Sequence, residues 1–382
     1  MKQILIVGAG PTGLMAALTL AYRGIKPTII DKKDAPISTS NALAVQPRTL
    51  EIWEEIGIAN DALSQGHRLE GVTMSKGGQK LTELSLHDLP SSYPFILVLP
   101  QAKTERLLAD HLERHGVTVD RGVVLESVVD HGDYVETQCN GKTERYDYVL
   151  GCDGTMSTVR TSADIAFKGK DLPQHFIMAD LHVEWEKSPS MGHVIFSENG
   201  PLVFFPFDNK NHGRLIADVT NDDRLKQEHH PAFEDFAGLM KERNTHKASL
   251  DHMEWSSSFW VHSKIADTYQ KGRLFLAGDA AHQHSPFGGQ GMNTGIQDAY
   301  CLSNLLADVI EGEKSVDHLN EYTKIRRPIG KAVVSRTDFM TRLVTSPSKF
   351  VQGLRNTLLP VIMSIPPIRK KAAMTLTQLI YR

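Results

Sequence analysis

With 382 residues, 42 Lys and Arg against 45 Asp and Glu, and a formal net charge of −3, the chain has no global basic field to recruit nucleic acid. A composition 41% hydrophobic and 23% charged is that of a globular protein long enough for two domains and a sizeable core. The three cysteines, Cys139, Cys152 and Cys301, form no Cys-x-x-Cys pair, which argues against a disulfide framework or a zinc site and fits a reducing, cytoplasmic setting.

The N-terminus enters a strand at once, with too short an apolar run for a signal peptide. No apolar run approaches the roughly 18 residues of a transmembrane span. Residues 3–7 read as a buried parallel strand. Gly8-Ala-Gly-Pro11-Thr-Gly13 is a turn, Leu14 to Arg23 a helix stopped by Gly24, and Lys26 to Asp31 a second strand. In this βαβ opening Gly8 allows the tight turn, Gly10 lets the backbone approach a pyrophosphate, and Gly13 lets helix and strand pack closely. The helix start supplies free N–H groups to phosphates, and Asp31 is placed to accept hydrogen bonds from an adenosine ribose. This first clamp does not separate FAD from NAD.

Residues 48–57 and 102–116 read as helices. Residues 70–88 and 175–262 alternate Val, Ile, Phe and Leu and read as an antiparallel sheet, with a hairpin pairing Leu202 to Phe207 with Arg214 to Val219. A second clamp, Cys152-Asp-Gly-Thr-Met-Ser-Thr-Val-Arg160, follows an apolar strand at 146–150. Ser157 is placed to cap a helix. Arg160 is within reach of either Asp153 or a phosphate. The third clamp is Asp279 after the strand 273–277, where a carboxylate suits ribityl hydroxyls. The loop Pro286 to Gly291 then opens a helix near Met292, and its N–H groups and positive dipole end suit the anionic edge of a reduced flavin. This remote clamp points to an extended FAD. Residues 297–311 are helical, and the tail from about 315 is helical but broken by Pro360, Pro366 and Pro367. The basic run Arg369-Lys-Lys371 lies beside apolar residues. Weak peripheral contact with a membrane is one reading, and a packed helix with a solvated basic end is the plainer one.

Taken together, these motifs resemble the class A flavoprotein monooxygenases, the para-hydroxybenzoate hydroxylase and phenol hydroxylase family. G-x-G-x-x-G matches Gly8 to Gly13. D-G-x-x-S-x-V-R matches Asp153, Gly154, Ser157, Val159 and Arg160. G-D-A-A-H-x-x-x-P matches Gly278 to Pro286, and G-G-Q-G-x-N matches Gly288 to Asn293. Arg48 opens a family-like R-T-L-E helix, and Gln101 stands where the family places a flavin-contacting glutamine. The resemblance implies an α/β fold in which a Rossmann-type FAD-binding domain (1–72, 97–175 and 267–345) carries an inserted antiparallel substrate sheet (73–96 and 176–266) and a C-terminal helical segment (346–382).

The cofactor set so implied is Gly8, Gly10, Pro11, Gly13, Asp31, Arg48, Gln101, Asp153, Gly154, Arg160, Gly278, Asp279, Pro286, Gly289, Gly291, Met292 and Asn293. The loop at Pro286, Gly289 and Gly291 is expected near the isoalloxazine. The implied reaction consumes NAD(P)H and O2 and hydroxylates a phenolic, polyketide-like or quinone-like aromatic through a flavin hydroperoxide, with no protein nucleophile. A reductase on the same scaffold, or a flavin-binding accessory or sensor protein without turnover, are the rivals. The halogenase signature G-W-x-W-x-I-P is absent. Candidate pocket residues are His193, Phe196, Phe204 and His262. His282 and His284 flank the flavin loop, but no metal site is expected, and the chain is expected to act as a monomer or homodimer.

Three features depart from the family pattern. Asn41 stands where relatives often carry Arg, the thioredoxin-like module of phenol hydroxylase-like members is expected to be lacking after Ile380-Tyr-Arg382, and the helix after the flavin loop reads Tyr300-Cys-Leu-Ser-Asn-Leu.

Overall fold

The computed structural model describes residues 2–37, 42–243 and 248–382; Asn41 lies outside them. Two sheets organise the chain. The first has the spatial order 270–271, 274–276, 148–151, 4–7, 28–31 and 119–121. All its pairings are parallel except the one between 270–271 and 274–276. The strand Ile4–Val7 is Ile-Leu-Ile-Val and wholly buried, as a parallel strand covered on both faces must be. The helix Pro11–Tyr22 is apolar nearly all round because it is enclosed, packing against both the 291–310 and the 101–114 helices.

The second sheet has eight strands, in the order 282–283, 248–266, 167–185, 212–218, 202–206, 191–196, 71–76 and 79–85. Two of these, Phe167–Trp185 and Ala248–Ala266, are 19 residues long. The first of these long strands therefore begins at Phe167, inside the stretch that the sequence assigned to the nucleotide half. It is not wholly antiparallel either: Met191–Phe196 runs parallel to Gly71–Lys76. Local alternation carries no strand direction, so a pairing between distant segments escapes it. The hairpin forms between Leu202–Pro206 and His212–Asp218, with Leu202 opposite Ala217 and Pro206 opposite Gly213.

Each face of that sheet meets a different core. Phe204 joins Ile177, Leu181 and Leu215 beneath the helix Phe233–Glu242, where Phe236 is fully buried. Phe205 and Phe207 point the other way, toward Leu43, Ala44 and the C-terminal helices. Alternate residues of one strand thus serve opposite layers. A three-stranded meander at 125–146 and a small sheet of 44–45, 67–69 and 96–98 are further elements that local patterning did not mark.

The tail folds as helices Glu321–Val344, Lys349–Met363 and Pro366–Leu376. Pro360 does not break it as expected. Pro360 sits in the last turn of its helix and forfeits one i→i−4 bond, to the Asn356 carbonyl, while three more helical residues follow it; Pro366 opens the next helix at its first position, where the missing N–H is harmless. No helix among the described residues is long and apolar enough to cross a membrane.

Candidate active site

Register places the three clamps side by side. Val7 pairs with Gly151, and Gly151 with Leu276, so the loops after these strands leave the same carboxyl edge of the parallel sheet. That edge is where open α/β sheets bind ligands. The loops also touch pairwise. Gly8 has φ +100°, and a Cβ there would collide with the Cys152 carbonyl. Gly278, at φ +62°, leaves room for Thr12 Oγ1, as does Gly295. Arg160 donates to the carbonyl of Ala280 at 3.0 Å and to that of Thr155 at 2.8 Å. The first clamp therefore rests on the second and third, and Arg160 ties the second to the third.

Arg160 does not form the hydrogen-bonded pair with Asp153 that the sequence left open. Its guanidinium lies 4.1 Å from the centroid of the Phe167 ring, and burial lowers its pKa. Asp153 Oδ2 accepts the N–H groups of Thr158 (2.7 Å) and Val159 (3.2 Å), and Ser157 Oγ caps the same short helix through Arg160 N. Burial pushes the Asp153 carboxyl upward, and its Oδ1 is buried without a hydrogen-bond partner among the described residues.

Asp31 ends its strand and accepts from Ala9 N (2.7 Å) and Lys33 N (2.8 Å), which fixes the glycine turn to the second strand. A carboxylate has about four acceptor sites, so capacity remains for a ribose. No atom lies within 4 Å of where a Cβ on Gly10 would stand, and Gly10 is the N-cap of Pro11–Tyr22 without a side-chain cap.

Asp279 has no hydrogen bond to any described residue. Solvent reaches it, yet surrounding protein crowds its carboxyl enough for burial to push it upward. Beyond it the loop turns at Gly288 (φ +79°) and Gly289 (φ +61°) into the helix Gly291–Ile310, again without a side-chain N-cap. Pro286 is exposed, while Gly289, Gly291 and Met292 are half-buried. His284 lies beneath this helix start. Burial, then the neighbouring His282, push it down to about 4, so it is neutral at physiological pH.

The Asn293 side chain is committed to the loop itself. It is fully buried, accepts from Gln46 N and Thr49 Oγ1, and donates to the carbonyls of Ala44 and Gly289. These four bonds use its whole capacity, so the side chain holds the loop rather than a ligand. Gln46, unmarked in the sequence, donates to the Gly288 carbonyl at 3.0 Å. Gln101 donates to Glu105 (2.9 Å) and accepts from Ala42 N (3.3 Å). The Arg48 guanidinium turns to Glu51 (3.2 Å) and Glu55 (3.8 Å).

These groups suit an extended dinucleotide: two helix starts without side-chain caps for anionic groups, an open glycine cradle, and a solvent-reached carboxylate with no hydrogen-bond partner among the described residues. The family described as FAD binding domain matches residues 1–337. The chain belongs to that family. Among relatives of this FAD-binding domain, the 6-methylpretetramide 4-monooxygenase of Streptomyces rimosus is 34% identical over 374 residues, covering 95% of this chain and 64% of that protein. The pentachlorophenol 4-monooxygenase of Sphingobium chlorophenolicum is 32% identical over 357 residues, covering 91% of this chain and 65% of that protein. The chain thus spans just under two thirds of the length of both. The anhydrotetracycline hydroxylase from Streptomyces rimosus superposes with a TM-score of 0.83 at 27% identity, covering 99% of this chain and 76% of that one.

The sheet face that meets the flavin loop is aromatic. Phe287 of the loop packs edge-on against Phe176 at 6.5 Å, Phe176 stacks on Phe259 at 5.7 Å, and Leu172, Ile216 and Val261 complete the cluster. None of the four pocket candidates lies in this cluster. His193 and Phe204 are cross-strand partners on the opposite face, in or beside the core under the 233–242 helix, and His193 Nε2 donates to the Ser188 carbonyl at 2.9 Å. His262 pairs with Asp171 at 2.7 Å, away from the cluster, and Phe196 lies under Arg355 at 4.0 Å. Strand alternation gave the spacing of these residues but not which face meets the flavin loop.

Among the described residues, His182, His212 and Glu254 bring metal-ligand atoms close together. The two imidazoles stack 4.7 Å apart with planes 11° apart. In-plane lone pairs of parallel rings do not converge on one ion at the about 2.0–2.1 Å that zinc requires. They are read here as stacked histidines on neighbouring strands.

Asp279→Asn separates binding from folding. The substitution is expected to weaken FAD affinity by about tenfold to a hundredfold, the worth of hydrogen bonds to a charged acceptor. It is not expected to destabilise the flavin-free fold. A folded pKa raised above the unfolded one contributes stability that is lost as pH rises through the folded value, and the amide removes that loss. Flavin titration and flavin-free melting at neutral pH test this; unchanged affinity would remove Asp279 from the site.

Proposed function

We propose that the chain is an FAD-dependent monooxygenase that consumes NAD(P)H and O2 and hydroxylates an aromatic substrate of phenolic, polyketide-like or quinone-like type. The observation that carries this reading is the placement of the aromatic wall, Phe176, Phe259 and Phe287, directly against the loop that opens the 291–310 helix. The monooxygenase names of the relatives support it.

Bound FAD would accept hydride from NAD(P)H and activate O2. In this reading Gly8, Gly10, Gly13 and Asp31 hold the adenosine and pyrophosphate, and Asp279 holds the ribityl chain. The start of the 291–310 helix stabilises negative charge on the ring. Phe287, Phe259 and Ile216 exclude water and offer flat apolar surface to a ring substrate. The eight-stranded sheet is then the substrate-holding part, and the parallel sheet the flavin-holding part.

A panel of phenols, quinones and tetracyclic aromatics is expected to include compounds that stimulate NAD(P)H oxidation by the purified flavoprotein. Labelled O2 is expected to leave one labelled oxygen in the product. Stimulated oxidation with a reduced, unlabelled product would assign a reductase. No stimulation across the panel, with FAD bound, would assign a binding protein.

A further inference from the structure

The C-terminal helices carry a second surface, unrelated to the flavin cleft. Among the described residues, 17 large hydrophobic side chains are exposed, and ten of them fall within residues 339–380, so the exposure is local rather than scattered. The helix Lys349–Met363 is apolar on two opposed faces. Leu359 and Met363 join the core against the hairpin 71–85. Phe350, Leu354, Leu358 and Val361, spaced by four, four and three residues, form one exposed stripe on the other side, with Phe350 77% exposed and Val361 59%. Ile365 and Ile368 continue the exposure into the next helix.

Charge identifies what covers the stripe. Residues 339–382 contain seven Lys and Arg and no Asp or Glu. Of the chain's 42 basic and 45 acidic residues, 35 and 45 are then left for residues 1–338. A basic tail is thus set on an acidic body. Arg342, Lys370 and Lys371 are exposed and make no ion pair with any described residue; Lys349 lies 3.7 Å from Glu198. Lys371 stands one turn from Ile368, which sets charge beside the apolar surface. A second copy of the chain would bring the same basic set against itself, which like charges oppose. We propose that this face docks on an anionic lipid surface, with the Phe350–Val361 stripe at the acyl boundary and the basic side chains among the headgroups.

The test uses the full FAD-loaded chain and flotation with two vesicle types, phosphatidylcholine alone and phosphatidylcholine with about one third phosphatidylglycerol. Binding is expected only to the anionic vesicles, and it is expected to fade as salt rises toward 1 M, where the screening length falls to about 3 Å. Lys370→Glu with Lys371→Glu is expected to lower partitioning at least about tenfold, since each basic side chain contributes about fivefold near an anionic surface. Leu354→Ser with Leu358→Ser is expected to lower it similarly. Both double variants alter exposed side chains and are expected to keep the melting temperature and flavin content of the parent. Failure to float with either vesicle overturns the proposal. So does a dimer in light scattering that the Leu354 and Leu358 substitutions dissolve, because it would assign the stripe to a second copy.

Discussion

Asp298→Ala is expected to destabilise the protein by about 3–5 kcal/mol and to release its flavin. Asp298 is fully buried beneath the third clamp. It accepts from His282 Nε2 at 2.6 Å, from Arg326 Nε at 2.6 Å and from Gly278 N at 3.3 Å. Three segments thus meet on one carboxylate: the turn carrying Asp279, the helix 291–310 and the helix 321–344. Burial alone would push this carboxyl up. The charges and hydrogen bonds of Arg326 and His282 outweigh burial and hold it below its ordinary value. A lowered folded pKa contributes stability that is present above the unfolded value and lost as pH falls through the folded one.

The loss in Asp298→Ala comes chiefly from leaving the buried Arg326 charge uncompensated, with His282 also unpartnered. The double variant Asp298→Leu with Arg326→Met removes the charge as well as its partner. It is therefore expected to recover part of the melting temperature that Asp298→Ala loses, a drop of more than about 5 °C. If the double variant melts no higher than the single one, the network is not held by charge compensation. Flavin content should track stability only in part, because Gly278 N loses its acceptor in both variants and the Asp279 turn loosens in both.

The sequence announces what is local and conceals what is relational. Gly8 to Gly13 is legible because strand, turn and helix follow one another in the chain. That Gly278 and Gly295 are glycines to admit Thr12 is not legible, because the three residues are close only in space. Arg160 sat in a recognised motif, yet its partner, the Ala280 carbonyl, is a backbone atom of another motif. Phe204 and Phe205 are equivalent in a one-dimensional alternation, and only the layers above and below decide that Phe205 looks toward the flavin loop's neighbours. Asn293 was legible as part of a motif, but not that its side chain makes four hydrogen bonds that close the loop on Ala44, Gln46, Thr49 and Gly289.

The C-terminal residues hold the start of the flavin-loop helix, and Gln378→Ala is expected to show it. Gln378 is fully buried at φ +60°, a conformation that strains any residue with a Cβ. Its Nε2 donates to Gln290 Oε1 and Thr294 Oγ1, both at 2.8 Å, and its Oε1 accepts from Gln297. Gln290 in turn donates to the carbonyls of Gly288 (3.0 Å) and Leu376 (2.7 Å). Removing the amide leaves buried groups on Gln290 and Gln297 unpaired, at about 1–3 kcal/mol each. The expected result is a lower melting temperature and FAD affinity weakened about tenfold, because the freed groups lie in the first turns of the helix proposed to face the ring. Gln378→Gly deletes the same bonds but relieves the left-handed backbone. It should therefore melt higher than Gln378→Ala while binding FAD equally weakly. That divergence ties flavin affinity to the hydrogen bonds rather than to general stability. If instead affinity follows melting temperature across the pair, or stays at the parent value in both, Gln378 does not position the loop.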